Sequence, residues 1–150
     1  MNSKILITLS KLGFLVEPLG EHGYSFNHEG LKYIYRLKDD GDGEGFLQMF
    51  VLTNIDATVC GPFNLYRLMD KTNDGVRYVK ACLLGDSICL YYENPLFGYE
   101  DYQPMLCNMI CAIESAFMFL HSALKDIQVG DDEFKELTGS DDGSDNLIGF

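Results

Sequence analysis

The chain has 150 residues, 47% of them hydrophobic, which is enough for about one domain with a buried core. Its 23 acidic against 11 basic side chains give a net charge of −12. An acidic body repels phosphate backbones, so nucleic-acid binding is not expected.

In chain order, Asn2 or Ser3 can cap a first helix running to about Leu12, with Ile5, Leu9 and Leu12 at helical spacing. Gly13 suits its left-handed end, and Pro18, Gly20 and Gly23 mark a loop. Residues 24–27 alternate, and His28, Glu29 and Gly30 make a turn. From Leu31 the alternation continues: Leu31, Tyr33, Tyr35 and Leu37 share one face, and Lys32, Arg36 and Lys38 share the other with Ile34. The second face reads as a solvated surface, or as a basic patch of Lys32, Arg36 and Lys38 that holds the acidic tail or an acidic partner.

Asp40, Asp42, Glu44 and Gly45 fall at positions 1, 3, 5 and 6 of a calcium-loop pattern, but Val51 stands where the pattern requires glutamate. A hairpin turn is expected there, leading into a mostly apolar strand at residues 46–55. Pro62 opens a short helix with Leu65, Leu68 and Met69 on its apolar side, and Asn73, Asp74 and Gly75 stop it. Residues 76–84 and 87–93 read as two strands joined at Gly85 and Asp86, with glycine first as a type II′ turn requires.

A long helix follows over residues 102–127, with Asp101 as its cap. Between Met105 and Leu120 only Asn108, Glu114 and Ser115 are polar. A stripe of Tyr102, Leu106, Met109, Ile113, Phe117, Leu120, Leu124 and Ile127 can cover a sheet. The surplus apolar surface predicts a second contact, and Ile110, Cys111, Glu114, Met118 and His121 are the candidate partner or dimer surface. The apolar core at residues 105–120 is shorter than the ~20 residues a bilayer requires, so no membrane role is expected. Residues 130–150 read as an acidic tail after a single domain at residues 1–129. Seven acidic side chains against one lysine there carry half of the net charge.

The five cysteines are Cys60, Cys82, Cys89, Cys107 and Cys111. Their odd number, their apolar settings and the lack of a leader-like start predict reduced, packed thiols in the cytoplasm. Cys107, Cys111 and His121 follow one side of the long helix, so a metal- or thiol-dependent sensor or enzyme is the alternative function. Three ligands are too few for a closed structural site, and no metal, cofactor or catalytic residue is expected.

The order α-β-β-β-α-β-β-α describes an α+β domain, a five-stranded antiparallel sheet with helices packed on one face. Residues 68–96 (LMDKTNDGVRYVKACLLGDSICLYYENPL) resemble the YbjN group of bacterial proteins through Val79-Lys80-Ala81, Gly85-Asp86, Glu93 and Pro95. Tyr24-Ser25-Phe26 and Gly30 extend the likeness, which spans roughly Ile5 to Ile127. It implies the fold of type III secretion chaperones and a non-catalytic, chaperone-like homodimer, with a role in stress response or regulation. The very apolar final helix and the acidic tail depart from the group.

Overall fold

Ile5 and Leu9 lie on one side of helix α1 (Asn2–Lys11), and both are fully buried in the computed structural model, which describes residues 2–39 and 45–138. Gly13 takes φ 95°, its N–H bonds the Ser10 carbonyl, and the Phe14 N–H bonds the Leu9 carbonyl. These two bonds satisfy carbonyls that the last helical turn leaves open. They also turn Phe14 onto Phe26, with ring centroids 4.8 Å apart.

One sheet follows. Its strands are β1 (Glu17–Pro18), β2 (Tyr24–His28), β3 (Leu31–Asp39), β4 (Gly45–Asp56), β5 (Lys80–Leu84) and β6 (Ser87–Leu96). The spatial order is β1-β2-β3-β4-β6-β5, with every neighbouring pair antiparallel. Among the described residues the sheet therefore has six strands where five are expected. The sixth is the two-residue β1, where the sequence predicts a loop; it exists only because Glu17 and Pro18 pair with Ser25 and Tyr24. Pro18 is tolerated because it lies on the sheet edge.

Residues 76–79 are not strand, because Tyr78 has φ 68° and interrupts the extended backbone. β6 runs on to Leu96, beyond its predicted end. Its last β5 partner is Lys80 opposite Tyr91, so Pro95 lies where one side of β6 has no neighbour and its missing N–H breaks no ladder.

The hairpins follow their turn residues. Glu29 and Gly30 both have positive φ (52° and 77°), as a type I′ turn demands. In the β5–β6 hairpin only Gly85 does (φ 63°), as in the predicted type II′ turn.

Among the described residues four α-helices are present where three are expected. The additional α2 (Ala57–Cys60) starts because the Asp56 carboxylate accepts the Thr58 N–H at 2.9 Å. α3 (Pro62–Gly75) buries Leu65, Leu68 and Thr72, and α4 (Tyr102–Thr138) closes the described chain. α4 runs past Gly130, into the stretch read from sequence as the tail. The calcium-like pattern at residues 40–44 and the tail beyond Thr138 lie outside the described residues.

Leu47, Met49, Val51 and Ile55 of β4 point to one face and are buried with Tyr33 and Tyr35 of β3. α4 lies on β4 and β6 and touches both α1 and α3. Between Leu52 and Asp56 the β4–β6 register shifts. Thr53 fills the irregularity: its hydroxyl donates to the Ile88 carbonyl at 2.8 Å and accepts the Ile55 N–H at 3.2 Å. The opposite face carries Ile34, Phe50, Leu52 and Tyr91, none of them fully buried.

Candidate functional site

The helical period divides α4 into two sides. Tyr102, Leu106, Met109, Ile113, Leu120, Leu124 and Ile127 are buried and Phe117 is partly buried, so the predicted stripe meets the core. Ala116 and Ala123 are buried too, which widens the stripe. These small residues leave room where the helix packs closely.

Ile110 is a correction. It was expected on the partner surface, but it is 4% exposed and joins the core. The Tyr33 hydroxyl reaches its carbonyl at 3.5 Å, on the side of the helix that faces the sheet. A helix layered between two others buries more than one narrow stripe, and Ile110 falls within the added width.

The other four candidates reach the surface. Cys111 and His121 are exposed, Met118 is 66% exposed, and Glu114 is about one-third exposed. Glu114 is tied back to the sheet: its Oε2 lies 3.4 Å from Nε2 of His28, in β2. His28 is further held edge-on against Phe14, with centroids 5.4 Å apart. His121 packs on Phe117 at 4.4 Å. Met118, by contrast, projects into solvent from the same helix. Phe119 is 37% exposed next to it, and Ile7 of α1 and Phe63 and Tyr66 of α3 are each at least half exposed.

Phe119 was not singled out from sequence. Its ring lies against Gly75 at the end of α3, so close that a Cβ at Gly75 would fall 2.3 Å from the ring. Beside this contact is a cleft of about 310 Å³, bordered by Lys71, Asp74 and Asp126. A glycine at a helix end reads as a stop signal, so nothing local signals its second role as a seat for the ring.

Cys107 is partly buried and Cys111 exposed. His121 is ten positions beyond Cys111, about 15 Å along the helix at 1.5 Å per residue. The geometry thus does not bring Cys107, Cys111 and His121 to one point. Among the described residues no group of three or more His, Cys, Asp and Glu side chains is placed to hold a metal ion.

Lys32, Arg36 and Lys38 share the open face of the sheet, as the alternation requires. Arg36 does not stand free. Its Nε donates to Gln48 at 2.6 Å and its guanidinium lies 5.8 Å from the Phe50 ring centroid, leaving Lys32 and Lys38 as the exposed charges.

One expectation about α4 needs revision. Its apolar stretch is longer than residues 105–120: Tyr102–Gly130, 29 residues, is long and apolar enough to cross a bilayer by length and composition. A third of that window is buried inside the fold, where its apolar side chains join the core.

No family model matches the chain, and no curated protein matches it.

Proposed function

We propose that this chain is a non-catalytic, chaperone-like protein-binding module of the cytoplasm that acts as a homodimer through the outer side of α4. The observation that carries this reading is the 66% exposure of Met118 on a helix whose opposite side is fully committed to the core. Met118, Phe119 and Cys111 add exposed apolar area to that side, and methionine suits adaptable binding surfaces. Burial of ~400 Å² there is worth on the order of 10 kcal/mol before association costs, enough to hold a dimer. The resemblance of residues 68–96 to the YbjN group, and through it to type III secretion chaperones, supports the same reading. Under it the proposed partners are a second copy and a protein client, with neither nucleic acid nor membrane involved.

Light scattering at micromolar concentration tests it. The expected mass is twice 16.9 kDa. Met118→Glu is expected to give a folded monomer, because the charge must be buried in the dimer and stays in water in the monomer. A wild-type monomer at 100 µM, unchanged on dilution, overturns the dimer.

A further inference from the structure

Cys82 of β5 and Cys89 of β6 are direct cross-strand partners. The hairpin register decides what kind of pair they are. Leu84 and Ser87 flank the two-residue turn and exchange ladder hydrogen bonds, Leu83 and Ile88 do not, and Cys82 and Cys89 do again. Asn73 supports this count, because it bonds the outward-facing N–H and carbonyl of Ala81, one residue from Cys82. Hydrogen-bonded partners of this kind have Cα atoms about 5.5 Å apart, within the usual span of a disulfide.

Their surroundings differ. Cys89 is 4% exposed, and burial first, then the neighbouring Cys82, pushes its thiol up to about 12. Cys82 is only partly buried, on the outermost strand of the sheet, and Lys80 shares its face two residues earlier. Cys82 is thus the more exposed of the two side-by-side partners, and Cys89 the covered one.

We propose that Cys82 and Cys89 form a reversible dithiol–disulfide site whose co-reactant is a small disulfide of the glutathione class. Cys82 gives its proton to solvent, and its thiolate attacks one sulfur of the small disulfide. That S–S bond breaks, and the first small thiolate leaves and takes a proton from water. Cys89 then loses its proton to solvent and attacks the Cys82 sulfur, displacing the second small thiolate, which is protonated in turn. Two protein thiols are oxidised to one disulfide, and one small disulfide is reduced to two thiols. The raised Cys89 thiol makes the second step the slow one at neutral pH, so the mixed disulfide on Cys82 accumulates first. Its closure accelerates about tenfold per pH unit while Cys89 remains mostly protonated.

The full chain is incubated with oxidised glutathione at pH 7.0 and 8.5, quenched in acid, alkylated and mapped by mass after cleavage at Asp86, which separates the two cysteines. The expected product at pH 8.5 is a Cys82–Cys89 link, preceded by glutathione on Cys82, and dithiothreitol reverses both. Cys89→Ala stops at the mixed disulfide, and Cys82→Ser leaves position 89 unmodified. The wild-type map needs no variant, so a variant that fails to fold does not decide the result. Failure to form the link at pH 8.5, a link to another cysteine, or glutathione on position 89 of a folded Cys82→Ser variant overturns the proposal. The reaction is read on monomer and dimer alike, so its outcome is independent of the proposed self-association.

Discussion

Asn73 turns both ends of its side-chain amide onto the backbone of Ala81: Nδ2 donates to the carbonyl at 3.0 Å, and Oδ1 accepts the N–H at 2.7 Å. A residue of α3 thus takes the place of a neighbouring strand on the outer edge of β5. Open sheet edges invite pairing with other chains, and this one is partly closed by a side chain. Asn73→Ala is expected to lose about 1–3 kcal/mol by urea unfolding, because two backbone groups lose their partners. It is also expected to aggregate faster at equal unfolded fraction. A variant as stable and as soluble as wild type shows that the edge needs no cover.

Two buried tyrosines on β3 make a matched comparison. The Tyr33 hydroxyl has the Ile110 carbonyl at 3.5 Å, whereas the buried Tyr35 hydroxyl has no hydrogen-bond partner among the described residues. An unmade buried hydrogen bond costs more than a weak one contributes. Tyr35→Phe is therefore expected to raise stability by about 1 kcal/mol, with Tyr33→Phe neutral or slightly destabilising. Thermal melts of the two variants rank them, and the reverse order refutes the assignment.

Gly23 has φ 102°, and a Cβ there would lie 2.2 Å from the Tyr35 carbonyl oxygen. The clash is with backbone in the middle of the sheet, which cannot swing away. Gly23→Ala is expected to cost about 3 kcal/mol or more. Gly30→Ala meets no atom within 4 Å and carries only the strain of its positive φ, so it is expected to cost about 1–2 kcal/mol. Denaturant midpoints of the two variants test the difference.

Alkaline pH is expected to unfold the protein through its buried acids. Burial raises the Tyr33, Tyr35 and Cys89 groups above their ordinary values, with Glu114 adding to the shift at Tyr33, Tyr24 at Tyr35 and Cys82 at Cys89. The folded state keeps these protons after the unfolded chain has released them. Their stabilisation is whole below the unfolded values, 9.0 for cysteine and 10.0 for tyrosine, and is lost as pH rises through the folded ones. The urea midpoint should therefore fall steadily from pH 9 to 12. Cys89→Ala should flatten the first part of that fall, and an identical slope in the variant sinks the account.

Local chemistry made much of this fold legible. Gly13, Gly30, Gly85 and Pro62 each act within a few residues and sit where their backbone preference allows, whereas Glu29 takes φ 52° against its own preference because the two-residue turn imposes it. The Cys82–Cys89 pairing is of the same kind, because a two-residue turn sets the register of its own hairpin. β1 was not legible: two residues including a proline have no strand preference and depend on β2 for their form. Nor was Phe119 against Gly75, which joins two helices far apart in sequence.

By itself the sequence determined the α+β alternation, the apolar side of each element and the turns, because these follow from backbone sterics and side-chain periodicity over short distances. Only the tertiary structure decided which surplus apolar residues of α4 remain outside. Ile110 was drawn in and Met118 left out, since packing against α1, α3 and the sheet sets the width of the buried stripe. It also decided that Glu114 meets His28 and that His121 packs on Phe117, and so which part of the helix stays open to a partner.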